Sequence, residues 1–196
     1  MAFLSEEIRY SPERPVFAPI LANTMLSTVP GISGAGPSPE KTVFTPILDS
    51  ELIVNGRITS MPIRPDTPTG CPTPATITRA MMQLTRLVPF FINAGLAHSP
   101  TIPTYDLYGR AGGDPRREMA VPDAELLYIR GEQLGSLLSR LSDMLVIGEC
   151  VPGGTTTALC VLRALGYPAR VSSSMVLNPH SQKEEIAELI TRRLKD

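Results

Sequence analysis

The sequence has few of the residues that build disulfide or metal frameworks. Its 196 residues include only three cysteines, Cys71, Cys150 and Cys160, without C-x-x-C spacing. An odd number at these positions indicates neither a disulfide framework nor a zinc site. The two histidines, His98 and His180, have no acidic partner at metal-ligand spacing, which favours ordinary loop or core positions for both. We therefore predict that the protein binds no metal.

The sequence also lacks a strong net charge and a long apolar run. Its 18 basic and 19 acidic residues leave a formal net charge of −1, so no basic field is present to hold nucleic acid or an anionic membrane. Apolar runs such as residues 87–97 are far shorter than the roughly 20 residues that span a bilayer. Residues 1–15 carry acidic residues where a secretory signal would carry positive charge. These absences predict a cytoplasmic protein without nucleic-acid or membrane partners.

Proline, by contrast, is abundant. The chain has 20 prolines, about twice the average usage, and most fall between Pro12 and Pro122. Because proline fixes its own φ and restricts the preceding residue, this composition predicts much irregular but ordered backbone. We divide the chain into a lead-in segment (residues 1–15) and a single α/β domain (16–196). Within that domain, residues 16–122 are loop-rich and residues 123–196 form a more regular unit.

Hydrophobic periodicity predicts an alternation of strands and helices. The predicted strands are residues 16–23, 87–93, 144–148 and 169–174. The predicted helices are residues 74–84 with Thr73 as N-cap, 123–141, 156–165, and a last one that begins at Ser181 with Ser181 and Glu184 as a capping box. Residues 52–59 allow two interpretations: a hairpin around Asn55-Gly56, or a helical turn that starts at residues 49–51.

This order of elements predicts the fold class. Strands that alternate with helices through short connections imply parallel pairing and right-handed crossovers. We expect a three-layer αβα fold with a mostly parallel, Rossmann-like sheet and helices on both faces. The last helix runs to Asp196 without a stop signal, so the sheet is expected to continue through further units and the fold to be incomplete at the C-terminus.

Residues 148–157, Gly-Glu-Cys-Val-Pro-Gly-Gly-Thr-Thr-Thr, are the most informative segment. Ligands of open parallel sheets bind beyond the carboxyl ends of the strands, where the first amides of the next helix are unpaired and carry partial positive charge. Gly153 and Gly154 permit close approach and the threonines add hydroxyl donors, which predicts a phosphate monoester site. The segment is neither a Walker loop nor G-x-G-x-x-G. An ordinary strand-to-helix turn with a threonine cap is the alternative.

The stretch GECVPGGTTTALCVLRALGYPARVSSSMVLNPHSQKEEI resembles the archaeal and cyanobacterial branch of the nicotinate-nucleotide–dimethylbenzimidazole phosphoribosyltransferase family. The earlier segments PGISGAGPSPE, TPILDSEL, PTPATITRA, NAGL and GGDPR look like the same branch and occur in the same order. The resemblance runs from about Val16 to the end and is most specific over residues 148–183. It implies transfer of phosphoribose from nicotinate mononucleotide to a benzimidazole-type base, giving α-ribazole 5′-phosphate and nicotinate for the lower ligand of cobalamin, without a cofactor.

The resemblance also implies roles for individual residues. The nucleotide-phosphate loop of the family is matched by Gly148, Gly153, Gly154, Thr155 and Thr156. Its small-residue loop facing the ribose phosphate is matched by Ser172, Ser173 and Ser174. Lys183 matches the phosphate-side lysine, although a solvated surface lysine is the alternative. Asn93 and Gly95 close a strand and are our candidates for the base pocket.

The reaction requires carboxylates. Nicotinate leaves from a cationic ring nitrogen and needs no acid, while positive charge grows at the anomeric carbon and the attacking base loses an N–H proton. We assign Glu149 to charge stabilisation or substrate orientation, with a charge partner of the helix N-terminus as the alternative. The family chain is longer, and its unmatched part carries the carboxylate regarded as the general base. The glutamates at 184, 185 and 188 have no matching context.

Three functions therefore stay open. The chain is an enzyme, with or without a second chain that supplies the remaining half; or a truncated module that holds a nucleotide or a base without turnover; or an incomplete product whose exposed sheet edge favours aggregation. The expected ligands are nicotinate mononucleotide and a benzimidazole or purine base. The expected protein partner is a second copy of the chain or a complementary second half.

Overall fold

The computed structural model describes residues 10–66, 70–173 and 175–194. Within these ranges the strands form one four-stranded sheet in the order β3-β2-β1-β4. The strands are β1 Pro15–Ala22, β2 Ile92–Gly95, β3 Tyr105–Asp106 and β4 Met144–Cys150. All their pairings are parallel, as the sequence predicted.

The helices of the same ranges lie between β1 and β2, between β3 and β4, and after β4. The α-helices are α1 Thr45–Asn55, α2 Ala75–Thr85, α3 Ala124–Leu141, α4 Gly154–Ala164 and α5 His180–Arg193. Two 3-10 helices, Met25–Thr28 and Pro39–Phe44, lie between β1 and α1. None of the described helices is long and apolar enough to cross a membrane.

Apolar side chains pack on both faces of the sheet. On one face, Leu134 and Leu138 of α3 contact Ala18 of β1 and Ile92 of β2. On the other face, a cluster is formed by Leu21, Phe91 and Ile102, together with Ile53 of α1. Successive side chains of a strand point to opposite faces, which explains why neighbouring residues of β1 enter different clusters. The fold is thus a three-layer α/β architecture, as predicted.

A third apolar cluster holds α4 and α5 beside the segment that follows β1. Leu159 of α4 and Ile186 and Ile190 of α5 are buried against Leu26 and Ile32. Leu26 belongs to the 3-10 helix just after β1. The N-terminus of α4 is therefore fixed at the carboxyl edge of the sheet, where the sequence predicts a ligand.

The hairpin interpretation of residues 52–59 is wrong. Residues 52–55 are the last turn of α1, which starts at Thr45 and ends at Asn55. Gly56 takes a left-handed φ of 75° and donates its N–H to the carbonyl of Leu52. The Asn-Gly pair is thus a helix terminus, because glycine serves a left-handed C-cap as readily as a hairpin turn.

Two predicted strands are shorter or missing. The strand predicted at 87–93 begins only at Ile92, since Pro89 has no N–H to donate to a ladder and forms just an isolated bridge with Phe17. Residues 169–173 form no strand; their carbonyl groups are instead used by side chains, with Val171 accepting from Asn178 and Ser172 accepting from Lys183. Ser174 lies outside the described residues.

Two predicted helix caps are also wrong. Helix α5 begins at His180 after Pro179, without a side-chain cap, and Glu184 pairs with Arg163 at 2.8 Å instead of closing a capping box. Thr73 does not cap α2: the N-cap position is Pro74, and the Thr73 hydroxyl donates to Asp49. The helix itself is confirmed, but Ile77 and Leu84 of its apolar stripe are 69% and 77% exposed.

Candidate functional site

The predicted phosphate loop lies at the carboxyl end of β4, between Cys150 and the start of α4. A Cβ added to Gly148 would lie 2.8 Å from the Phe17 ring, so glycine is needed there for strand packing. Gly153 has a φ of 77°, and a Cβ on it would lie 3.1 Å from the Cα of Ser27. Both glycines therefore permit close approach within the protein, and the loop is held against the 3-10 helix that follows β1.

Only part of the first turn of α4 offers free amides. The Gly154 N–H donates to the carbonyl of Val151, and the N–H groups of Thr156 and Thr157 donate to Gly153. In the described part of the chain, the backbone N–H groups of Gly153 and Thr155 have no acceptor. Two donors at the positive end of a helix therefore remain for an anion.

Glu149 lies directly over this loop. Its Oε1 accepts the backbone N–H of Val151, and the same oxygen lies 3.1 Å from the position of a Cβ on Gly154. This position is consistent with both interpretations that the sequence left open for Glu149, charge stabilisation or substrate orientation and a charge partner of the helix N-terminus. An anion at these amides would meet a carboxylate, so its binding requires Glu149 to turn outward, which its exposed position allows.

Lys183 is a buried cation at the same helix terminus. Its side chain is among the largest fully buried ones, and the residue is 1% exposed. The ammonium donates to the Ser172 carbonyl at 2.6 Å and to the Thr155 hydroxyl at 3.3 Å, which leaves one of its three N–H groups unused. Burial lowers the pKa of Lys183. No carboxylate among the described residues forms an ion pair with it, so the solvated interpretation is wrong.

The remaining predicted phosphate-site residues differ in whether they lie near Lys183. Thr156 is fully buried, and its hydroxyl has no hydrogen-bond partner in the part of the chain that the structure describes. The hydroxyl of Ser173 accepts the N–H of Met175 at 3.0 Å. The structure therefore brings Thr155, Ser172 and Lys183 together, whereas Ser173 is used by its own loop.

Asn93 and Gly95 have structural contacts. Asn93 Oδ1 accepts the N–H groups of Gly95 and Leu96, which closes the end of β2. A Cβ on Gly95 would lie 2.4 Å from the Arg110 carbonyl oxygen, so glycine is required for this crossing of two backbones. Neither residue lines the large cavity described next.

A cavity of about 950 Å³ opens beside the phosphate loop, on the α1 face of the sheet. This volume is at the upper end of the range of small-molecule sites. Its walls are mainly apolar, and its rim includes residues 33–37 and 148–155. The apolar side chains of the wall include Phe17, Leu21, Leu48, Ile53 and Phe91. The cavity thus joins an apolar chamber to the candidate phosphate site.

Asp49 of α1 lines this cavity, and sequence reasoning did not single it out. Its Oδ1 accepts the Thr73 hydroxyl at 3.0 Å, and the Cys150 thiol donates to its Oδ2 at 3.8 Å. Burial raises the pKa of Asp49 to about 6, against the opposing effect of these two hydrogen bonds. Burial, followed by the charges of Asp49 and Glu149, raises the pKa of Cys150 far above its usual value, so this sulfur stays a thiol. In the sequence, the only signal for a functional Asp49 is that a carboxylate follows Leu48 in a helix with many apolar residues.

The described residues contain no group of three or more His, Cys, Asp or Glu side chains placed to hold a metal ion. The polar groups of the phosphate loop and the cavity include hydroxyls, backbone amides, the Lys183 ammonium, the Arg64 guanidinium, two thiols and the carboxylates of Asp49, Asp66 and Glu149. This set suits an organic phosphate and a neutral ring, because amides and ammonium groups bind anions.

Comparison with known proteins adds relatives but no reaction. No protein-family model matches the chain. It is 43% identical over 189 residues to a UPF0284 protein of Methanosarcina acetivorans, 39% over 193 residues to one of Archaeoglobus fulgidus and 43% over 173 residues to one of Halobacterium salinarum. Close homologues of this chain are archaeal UPF0284 proteins.

These matches cover the chain and the relatives unequally. They include 96%, 97% and 88% of this chain but 54%, 57% and 51% of the three UPF0284 proteins. The chain therefore spans about half the length of the curated relatives it matches. The name UPF0284 specifies no activity.

Proposed function

We propose that the chain binds nicotinate mononucleotide and takes part in the transfer of its phosphoribose to a benzimidazole-type base. The observation that carries this proposal is the buried ammonium of Lys183, bonded to Thr155 at the N-terminus of α4 without a carboxylate partner in the described residues. A buried cation without a counter-ion is unfavourable, and a bound phosphate would supply one. The resemblance of residues 148–183 to the phosphoribosyltransferase family supports the same ligand.

In this proposal, each polar group of the site has a role. The free N–H groups of Gly153 and Thr155 and the third N–H of Lys183 bind the phosphate. Glu149, once displaced from Val151, stabilises the positive charge that grows at the anomeric carbon. The apolar cavity receives the acceptor base, and its walls exclude water that would otherwise hydrolyse the activated ribose.

Calorimetric titration of nicotinate mononucleotide into the purified protein tests the phosphate site. We expect saturable binding to the wild type and a loss of at least about tenfold in affinity for Lys183→Met, since one charge-assisted hydrogen bond is removed. Lys41→Met is the matched control, because Lys41 is exposed. Binding that is equally strong in all three proteins, or absent from the wild type, contradicts the proposal.

Release of nicotinate separates catalysis from binding. The assay combines the protein and the mononucleotide with dimethylbenzimidazole or adenine and follows free nicotinate by chromatography. Release that depends on the added base supports an enzyme. Saturable binding without release supports a binding module.

The second candidate is a binding unit that needs another chain for activity. The observation that favours it is the edge of the sheet: β4 pairs only with β1 among the described strands, and Ile147 on this strand is 65% exposed. An apolar edge strand is a ready template for another strand. The relatives are about twice as long as the match, so their second half is a natural occupant.

This candidate has its own test. The uncovered half of the Methanosarcina acetivorans relative is expressed as a separate polypeptide and added to the release assay. Nicotinate release that appears only in the mixture supports the two-chain reading. Release by the present chain alone, unchanged by the addition, contradicts it.

A further inference from the structure

Asp49 stands out among the ionisable groups that the phosphate site does not use. It lies in the wall of the cavity, and its two oxygens are bonded to groups from different elements: Thr73 before α2, and Cys150 at the end of β4. Because Thr73 and Cys150 both donate, they fix the orientation of the carboxylate. A carboxylate in an apolar chamber, held in place by donors from two other chain segments, is typical of a ligand-recognition group.

Within the part of the chain that the structure describes, no cation pairs with the Asp49 carboxylate. Arg64, Asp66, Cys71 and Glu149 are the other ionisable groups that line the cavity besides Cys150. No cation among the described residues, Arg64 included, forms an ion pair with Asp49. A carboxylate in such surroundings gains most from a neutral donor, because an N–H satisfies its lone pairs without adding a second buried charge.

We propose that the Asp49 carboxylate accepts the ring N–H of a heteroaromatic base held in the cavity, and takes that proton when the base attacks ribose. The reaction in this statement rests on the proposed function, whereas recognition of the base is measurable without it. Cys150 links the two parts of the site, since it contacts Asp49 and lies three residues before Gly153.

The proposed step balances. The lone pair of the unprotonated ring nitrogen forms the bond to the anomeric carbon. The bond from that carbon to the nicotinate ring nitrogen breaks, and its electron pair stays on the nicotinate, which loses its positive charge. The N–H proton of the other nitrogen of the base passes to Asp49 and then to solvent. The pKa of Asp49, raised to about 6 by burial, makes it a stronger base than an exposed aspartate while it stays largely ionised at neutral pH.

A pair of probe molecules tests this assignment without any mutation. Benzimidazole and 1-methylbenzimidazole share the ring and the acceptor nitrogen, but only the first has an N–H. Calorimetry on the wild type at pH 7.5 should show benzimidazole binding at least about tenfold more tightly. This ratio should shrink as the pH falls through about 6, because protonated Asp49 is a weaker acceptor of the N–H than the carboxylate. The methylated probe controls for protonation of the ring itself.

Variants locate the effect. Asp49→Leu, which has no acceptor, should abolish the preference for benzimidazole while its circular dichroism spectrum and its affinity for nicotinate mononucleotide stay as in the wild type. Asp66→Leu, which removes another carboxylate from the same cavity, should retain the preference. Equal affinities of the two probes for the wild type, no binding of benzimidazole at millimolar concentration, or a preference that survives Asp49→Leu overturns the inference. A preference that depends on Asp49 in a protein unable to bind the mononucleotide overturns the proposed function instead.

Discussion

Glu51 shows how much a single buried carboxylate contributes to this fold. It lies two residues after Asp49 on α1 and has no exposed surface. Its oxygens accept both the N–H and the hydroxyl of Thr59 and of Ser60, and the hydroxyl of Thr101. Burial alone would raise the pKa of Glu51, but the hydrogen bonds outweigh it and hold the value at about 2. Glu51 therefore ties two loops to α1, whereas Asp49 has fewer donors and its pKa is raised by burial to about 6.

We predict that Glu51 makes the free energy of unfolding decrease as the pH falls below about 4.3. A carboxyl whose pKa is lower in the folded state stabilises the fold above its unfolded value of about 4.3, and this contribution is lost between pH 4.3 and about 2. Glu51→Gln should lower the free energy of unfolding at pH 7 by about 3 kcal/mol and flatten its pH dependence in that window. Urea unfolding at a series of pH values measures both. Glu185→Gln, on the exposed side of α5, should change neither, and an equal effect of the two variants would contradict the prediction.

At the scale of elements, α1 and α2 are joined through a helix terminus. Arg79 of α2 donates from one guanidinium nitrogen to the carbonyls of Leu52, Ile53 and Val54 at 3.4, 2.7 and 3.2 Å. These carbonyls belong to the last turn of α1 and carry partial negative charge, and the carbonyl of Leu52 also accepts the Gly56 N–H. A cation in this position stabilises α1 and joins α2 to its C-terminal end.

Arg79→Met should therefore weaken the fold. It keeps most of the apolar stem but removes the donor, and we expect the free energy of unfolding to fall by about 1–2 kcal/mol. Thermal or urea unfolding measures this. Arg57→Met, in the loop that follows α1, is the control and should stay within about 0.5 kcal/mol of the wild type. A loss of the same size in both variants would point to general charge effects instead.

Elements with a strong local pattern were predictable from sequence. The stripe of leucines in α3, the apolar run of β4 and the glycine that ends α4 each depend on neighbouring residues, and the structure confirms all three elements. The Asn55-Gly56 pair was ambiguous because a hairpin turn and a helix C-cap both use a left-handed glycine. Residues 169–173 have strand composition, but their backbone is bonded to side chains from other segments, which no local pattern encodes.

The residues of the candidate site also differ in how far they could be predicted from the sequence. The glycine-threonine loop is contiguous in sequence, so its position at the end of a strand was predictable. A place for Lys183 on the phosphate side was expected only through a family resemblance, and its contact with Thr155 is known from the structure. Asp49 and Cys150 are 101 residues apart, and no sequence motif relates the two positions to each other. A group whose chemistry arises from long-range burial cannot be recognised before the fold is known.

At the scale of the whole molecule, the sheet of the described residues has a short strand at one edge and a long strand at the other. The short β3 lies at one end of the sheet, whereas at the other end β4 presents seven residues whose outer ladder has no partner among the described strands. The run Leu145-Val146-Ile147 on β4 is exposed and carries no charge. Edge strands that remain free usually carry lysine, proline or a bulge, and this edge has none of them.

We predict that this edge is where the complementary half of the longer relatives binds. Ile147→Lys should weaken the association of the chain with the separately expressed second half by about tenfold or more, because a lysine on the edge disfavours strand pairing and removes apolar surface. Since Ile147 is 65% exposed, its replacement should leave the thermal midpoint of the isolated chain nearly unchanged. Val161→Lys, at an exposed apolar position on α4, is the matched control. Analytical ultracentrifugation of the mixtures gives the affinities. If both lysine variants bind as tightly as the wild type, another surface joins the two halves. If both variants lose affinity, the added positive charge opposes association and the strand edge is not the cause.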